Sequence, residues 1–212
     1  MLTLRPYPAL SSRLSVFELI SDIPGHFLRY KRTMLDISHV IEETAAAHTP
    51  GCSLWVGFQK FSLFAAQEQR YRRLAQSWKH CWIFGVADAP LPELPNVTPV
   101  ALSPDHPLAK EWFVVADGPS FGSALLAADT SGFAIADRQR QFMGLWSADP
   151  ALVRLASSRL AQAIDEPVPG WNIDCASTLR AYDQMANWLV ATQEERAAPR
   201  QPRPATISEA LA

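Results

Sequence analysis

The sequence has few of the features that mark a secreted, membrane or metal-binding protein. Its 212 residues include three cysteines, Cys52, Cys81 and Cys175, which are widely spaced and form no Cys-x-x-Cys pair. A disulfide scaffold or a zinc site is therefore not expected. The N-terminus shows no basic region followed by an apolar run, and every apolar stretch is far shorter than the roughly 20 residues of a membrane span. We expect a cytoplasmic protein that binds neither a metal ion nor a membrane.

An excess of charge of one sign is also lacking. Lys and Arg together number 19 and Asp and Glu 21, which gives a formal net charge of −2. Nothing in this balance attracts nucleic acid, so no nucleic-acid partner is expected. Hydrophobic residues make up 48% of the chain and seven residues are tryptophan. This content excludes general disorder and predicts a globular domain with a sizeable core.

The common catalytic motifs are missing as well. The sequence contains no Gly-x-Gly-x-x-Gly, no P-loop and no His-Glu-x-x-His motif. One Gly-x-Ser-x-Gly match spans Gly118–Gly122, but it lies between two strand-like runs and no histidine follows Ser120. His39 has Asp36 and Glu43 at helical spacing, an arrangement that a solvated helix face also explains. We expect no enzyme and no catalytic residue; His39 and Ser120 are the candidates if one exists.

The hydrophobic pattern alternates between helical and strand periods along the chain. Helical spacing extends over Met34–His48 and Ser62–Trp78, with a shorter helix at Leu14–Ser21 and a loop around Arg29–Arg32. Short apolar runs typical of strands occur at residues 52–58, 81–86, 97–102, 111–116 and 122–128, with a further short run at 144–146. This order predicts an α/β or α+β fold: a single mixed sheet of about five strands packed with helices.

The last third of the chain is predicted to be helical. Asp149 and Pro150 form a helix start, and the proline-rich segment 166–170 ends that helix. Asp174 begins a C-terminal helical extension to about Arg196, whose apolar stripe is Leu179, Tyr182, Ala186 and Leu189. We therefore divide the chain into a domain at 13–166, a linker and helix at 167–197, and a tail at 198–212 whose composition predicts disorder.

Several short segments occur in an order that is typical of one bacterial module. They are Ser15–Leu19, Ile37–Glu42, Gly57–Gln59, Tyr71–Ala75, Phe84–Gly85, Pro107–Val114 and Phe142–Asp149. The pattern resembles the DICT sensory domain over about residues 13–166. The resemblance implies a non-enzymatic input module that works with cyclic-di-GMP enzymes, kinases or DNA-binding domains, with a suggested link to light responses. It implies no particular ligand or cofactor.

The matching motifs contain polar and aromatic residues that we take as a candidate ligand site. Together with one further tryptophan of the core elements, they are Trp55, Gln59, Arg70, Glu111, Trp112 and Trp146. Polar groups inside apolar motifs cost free energy unless a partner satisfies them, and that partner is either a ligand or the fold itself. For Asp149 the helix-cap position is a sufficient explanation.

The leading interpretation is a sensor that binds an unidentified small molecule or chromophore and passes its state through the C-terminal helix. The recipient would be a signalling output protein or domain. The alternative is an adaptor without a small ligand, which would bind its partner through Arg72, Arg73 and Trp188. The C-terminal helix would equally serve as a homodimer seam. Only 16 residues follow Arg196, so we expect either a stand-alone sensor or a chain that stops before an output domain.

Overall fold

The structure is a computed structural model that describes residues 13–48, 51–168 and 170–197. Within these ranges the chain forms one seven-stranded sheet with the strand order β1-β7-β6-β5-β2-β3-β4. The strands are β1 Phe27–Tyr30, β2 Ser53–Lys60, β3 His80–Val86, β4 Val97–Leu102, β5 Glu111–Asp117, β6 Gly122–Asp129 and β7 Gln141–Ser147. β2, β3 and β4 are parallel to one another, and the remaining pairs are antiparallel. The predicted mixed α/β sheet is thus confirmed, with seven strands instead of about five.

Helices cover both faces of the sheet. In the described residues the α-helices are α1 Lys31–Ala47, α2 Glu68–Leu74, α3 Pro150–Ala163 and α4 Cys175–Ala197. Short 3-10 helices occur at Glu18–Ile20, Phe61–Gln67, Pro107–Lys110 and Asp137–Gln139. One face packs against α1, α2, α4 and the 3-10 helix 61–67. The other packs against α3 and the 3-10 helices 18–20 and 107–110. Two hydrophobic cores result, one on each side of the sheet.

The central strands form because their residues are apolar on both faces. In β2, Leu54 and Val56 face the α1 side while Trp55 faces the α3 side, and all three are buried. A strand covered on both faces has a continuous apolar run, which is how β2 and β3 appear in the sequence. The helix starts follow their predicted caps: the carboxylate of Asp149 accepts a hydrogen bond of 2.8 Å from the Ala151 amide.

The structure corrects three sequence-based predictions. The predicted loop around Arg29–Arg32 is instead edge strand β1 followed directly by α1. The single helix predicted over Ser62–Trp78 is a 3-10 helix continued by the two-turn α2. In α4 the predicted stripe is rotated, because Leu179 is 62% exposed while Thr178, Ala181 and Met185 are buried.

Two further observations concern the sequence-based expectations. No helix among the described residues is long and apolar enough to span a membrane. Within the same ranges no group of three His, Cys, Asp or Glu side chains is arranged to hold a metal ion. The tail 198–212, for which the sequence predicts disorder, lies outside the described residues.

Candidate functional site

A cavity of about 930 Å³ lies between α1, the 3-10 helix 61–67 and the sheet face of β2 and β5. We call it the α1 cavity. Its volume falls within the range of about 300–1,000 Å³ that is usual for small-molecule sites. Most of its wall is apolar, formed chiefly by Leu35, Val56, Gly57, Phe58, Leu63, Trp112 and Val114. Charged side chains form the solvent-facing mouth: Lys31, Arg32, Asp137 and Arg138.

A bulge at the end of β2 shapes one wall of the α1 cavity. The pairing with β3 passes from Gly57 directly to Gln59, so Phe58 is the extra residue. Gln59 adopts a positive φ of 61°, which is uncommon for a residue with a side chain. The bulge turns Phe58 into the α1 cavity, where its ring meets Phe64 and Tyr71 edge-on at 5.3 and 5.7 Å. Bulges of this kind re-aim side chains next to functional sites.

Polar groups of α1 line the cavity and are tied to its other walls. The Ser38 hydroxyl accepts a 2.9 Å hydrogen bond from the Trp112 indole and donates one of 2.8 Å to the Met34 carbonyl. His39 shares a 2.9 Å hydrogen bond with Gln67, which fastens α1 to the 3-10 helix 61–67. Burial, and then the charge of Arg70, lower the pKa of His39, so the imidazole is neutral at pH 7.

The one buried carboxylate in the cavity lining, within the described residues, already has its partners. Glu42 is 2% exposed and accepts hydrogen bonds from Arg70 Nη1 and, at 2.7 Å, from the Tyr71 hydroxyl. Arg70 also donates a 3.1 Å hydrogen bond to the His39 carbonyl. These contacts join α1 to α2 behind the cavity. Arg70 thus has its counter-charge within the fold.

Of the six predicted ligand residues, only Trp112 lines the α1 cavity. Arg70 lies behind its wall on Glu42, and Gln59 lies at the β2 bulge, where its side-chain oxygen accepts a 2.7 Å hydrogen bond from Arg140. Arg140 is 1% exposed and also forms an ion pair with Asp129. The fold therefore supplies partners for the Gln59 oxygen and for Arg140 Nη2, while Gln59 Nε2 and Arg140 Nε are buried without a partner among the described residues.

The other three predicted ligand residues are dispersed. Trp55 is on the α3 side of the sheet, stacked on Trp82 with ring centroids 5.1 Å apart. Glu111 is on that side too and accepts hydrogen bonds from the Ser15 hydroxyl and from two backbone amides, those of residues 16 and 17. Burial raises the pKa of Glu111. Trp146 faces α4, where its ring stacks on Tyr182 at 5.2 Å.

The predicted partner-binding residues are at the surface. Arg72 pairs with Glu68, and Arg73 pairs with Glu43. Trp188 is 42% exposed on α4. Both arginines thus carry their own carboxylate partners, whereas the tryptophan has an open face.

Sequence reasoning missed most of the cavity lining. Leu35, Leu63 and Gln67 were not singled out, and Ser38 and Phe58 lie in the motif segments 37–42 and 57–59 but were not proposed as ligand residues. One signal was available: Ser38, His39 and Glu42 recur at three- and four-residue steps and put polar groups on one side of an otherwise apolar helix.

The fold and this cavity define a class, a mixed α/β domain with a ligand-sized cavity on one face of its sheet. The family is shown by comparison: the family described as the sensory domain in diguanylate cyclases and two-component systems, DICT, matches residues 13–130. The chain belongs to the DICT family, and the match includes α1, β2, the 3-10 helix 61–67 and β5. It is therefore a sensory module of signal transduction.

Other comparisons add little. No curated protein matches the sequence. Among solved structures, the polyphosphate kinase from Porphyromonas gingivalis is similar with 16% sequence identity and a TM-score of 0.41. The match covers 77% of this chain and 31% of the kinase chain, so the chain spans about a third of that protein. A similarity of this size carries no argument about function.

Proposed function

We propose that the α1 cavity is the sensory site and that a small molecule bound in it is the signal. The supporting observation is that several apolar side chains leave part of their surface open to the cavity. Phe58, Leu63 and Trp112 are only partly buried. Apolar surface left in water costs about 25 cal/mol per Å², and a ligand with an apolar body recovers that free energy. The aromatic walls also suit a planar chromophore.

The signal would travel from the cavity to α4 through α1. One side of α1 lines the cavity with Leu35, Ser38 and His39. Asp36, next to them in sequence, is 7% exposed and holds the guanidinium of Arg196 in α4 by two hydrogen bonds of 2.5 and 2.8 Å. A ligand that prefers one position of α1 thereby changes the position of α4. The effect requires different affinities for the two arrangements, since equal affinities shift nothing.

The output surface would be the outer side of α4. Leu179 and Val190 lie on the same side of the helix and are 62% and 58% exposed. Trp188 is 42% exposed and lies about half a turn away from them around α4. Exposed apolar side chains of this size are typical of interaction sites. This surface would contact a signalling output protein, an output domain or a second copy of the chain.

The first experiment is a native mass spectrum and an absorption spectrum of the protein purified gently from its own host. We expect a bound small molecule in the wild type. Ala66→Trp, which places an indole in the cavity from the exposed wall residue Ala66, should lack it. Ala151→Trp, at an exposed site on α3, is the matched control and should keep it. A ligand retained equally by both variants would place the site elsewhere.

The exposed side of α4 also supports the adaptor alternative, in which a protein partner binds without any small ligand. In that case Leu179→Lys with Val190→Lys should abolish the complex in a partner pull-down. Charge reversal at Arg72 and Arg73 should also weaken it if that face takes part. A complex that survives all four substitutions would exclude these two surfaces as the docking site, and the lack of any complex with the wild type would refute the adaptor interpretation.

A further inference from the structure

We propose that the ligand of the α1 cavity is an amphiphile with a single anionic group, which Arg32 and Arg138 bind at the mouth. The apolar body would lie inward against Phe58 and Trp112. The inference rests on the proposed function of the cavity and adds the chemical class of its ligand.

The first argument is the charge of the mouth. Arg32 lies in the first turn of α1 and Arg138 in the 3-10 helix Asp137–Gln139, and both side chains are exposed. Neither has an ion-pair or hydrogen-bond partner among the described residues. Lys31, the third cation there, is already paired with Asp137 at 2.5 Å. Two guanidinium groups are thus available, and guanidinium binds carboxylate, phosphate and sulfonate oxygens in a bidentate geometry.

The second argument is the position of these cations on α1. Lys31 and Arg32 occupy the first turn, where no acidic side chain is present and Tyr30 provides no side-chain cap. The first turn of a helix has a partial positive charge and favours anions over cations. Lys31 has the Asp137 carboxylate as its counter-charge, but Arg32 lies in this unfavourable field without a partner among the described residues. An anionic group bound between α1 and Arg138 compensates that repulsion.

The third argument is the absence of a site for a ligand cation. Within the described lining, Glu42 is occupied by Arg70 and Tyr71, and Asp137 is occupied by Lys31. His39 is bonded to Gln67. A cationic head would find no available carboxylate and would meet two arginines. The lining thus disfavours a cationic ligand. A neutral ligand would leave both arginines without an ionic partner.

The test uses two fluorescent probes that differ only in the anionic group. 8-Anilinonaphthalene-1-sulfonate carries a sulfonate, and N-phenyl-1-naphthylamine is the same ring system without it. Both are titrated into the full chain, and their dissociation constants are measured. The neutral probe reports on the apolar cavity alone, and the sulfonate probe reports on the cavity together with its mouth. Ala66→Trp should weaken both.

The decisive variant is Arg32→Gln with Arg138→Gln, since both side chains are exposed and their removal leaves the core intact. We expect this variant to bind the sulfonate probe with about tenfold lower affinity, since two solvated charge contacts are lost. The affinity for the neutral probe should not change. Arg159→Gln with Arg180→Gln removes two exposed arginines from α3 and α4 and should change neither probe. In the wild type, added salt should lower the affinity for the sulfonate probe and not that for the neutral probe.

The outcomes separate the two proposals. If the neutral probe binds and is blocked by Ala66→Trp, but the sulfonate probe is indifferent to Arg32, Arg138 and salt, the anionic class is wrong and the cavity proposal stands. If neither probe binds the wild type, or Ala66→Trp affects neither, the proposed function fails as well. The salt titration of the wild type decides the matter even if the double variant does not fold.

Discussion

The most direct test of the structure is the substitution Glu42→Gln in α1. The wild-type carboxylate is 2% exposed and accepts hydrogen bonds from Arg70 Nη1 and the Tyr71 hydroxyl. The amide of glutamine has the same shape, but it offers one acceptor oxygen where there were two and carries no charge. One of the two donors then faces an amide N–H group, and Arg70 loses its buried counter-charge.

The magnitude follows from the exposure of the partners. Removing one member of a buried ion pair costs about 3–5 kcal/mol, because the remaining charge is left in a poor solvent. Arg70 is not completely buried: its side chain is 16% exposed, and its Nε lies 3.3 Å from the Glu43 carboxylate, which remains. We therefore expect a loss of about 2–3 kcal/mol in the free energy of unfolding, just below the range for a completely buried pair.

Urea unfolding followed by tryptophan fluorescence measures this loss. The matched control is Glu43→Gln, the next residue of the same helix, which pairs mainly with the exposed Arg73 and lies 3.3 Å from Arg70 Nε. Glu43 and Arg73 are 38% and 62% exposed, so this change should cost no more than about 1 kcal/mol. Arg70→Met combined with Glu42→Gln should cost less than the sum of the single changes, because the two residues interact. Equal losses for Glu42→Gln and Glu43→Gln would refute the reasoning.

Three further predictions concern packing, pH and the α1–α4 contact. Gly57→Ala should cost about 1–3 kcal/mol in urea unfolding, since a Cβ there would be 2.5 Å from the buried Phe113 ring; Gly170→Ala, which meets nothing within 4 Å, should be silent. Because the pKa of Glu111 is higher in the folded than in the unfolded protein, the protonated carboxyl stabilises the fold below the unfolded value of 4.5. The free energy of unfolding should therefore fall as pH rises from 4.5 through the raised pKa. Glu111→Gln, which does not titrate, should lack this fall. Arg196→Gln should speed amide hydrogen exchange at the C-terminal end of α4 while lowering global stability by less than about 1 kcal/mol, because Arg196 is 37% exposed; unchanged exchange would refute the contact.

The strands that could be predicted are those with a complete local signal. β2 and β3 are apolar on both faces and bounded by glycine or polar residues, and β4 to β6 are short apolar runs separated by turns. β1 has no such signal, because three of its four residues are exposed and it pairs only with β7 among the described strands. Most of the 3-10 helix 61–67 was included in the helix predicted from Ser62, because Phe64, Tyr71 and Trp78 lie near one helix face and such spacing does not separate a 3-10 start from an α-helix.

The candidate site was harder to predict than the fold because it depends on which face of the sheet each residue occupies. Alternation along β2 puts Trp55 and Val56 on opposite faces, but only the packing shows that α1 covers Val56 and α3 covers Trp55. Trp112 is the one predicted ligand residue that lines the α1 cavity, and its part in ligand binding stays a prediction. Glu111, beside it, points to the other face and holds the backbone of residues 16 and 17.

The proposed ligand class and output depend in part on segments that lie outside the family match. The match ends at residue 130, so it includes the apolar wall of the cavity and the α1 face that carries Ser38 and His39. Arg32 of the mouth also lies within the match, whereas Arg138 and the whole of α4 lie beyond it. Under the two proposals, changes in these later segments alter the head group that is bound and the output that α4 drives. The substitution at Arg138 and the exchange rate of α4 therefore test segments beyond the family match, whereas Ala66→Trp and the substitution at Arg32 test residues within it.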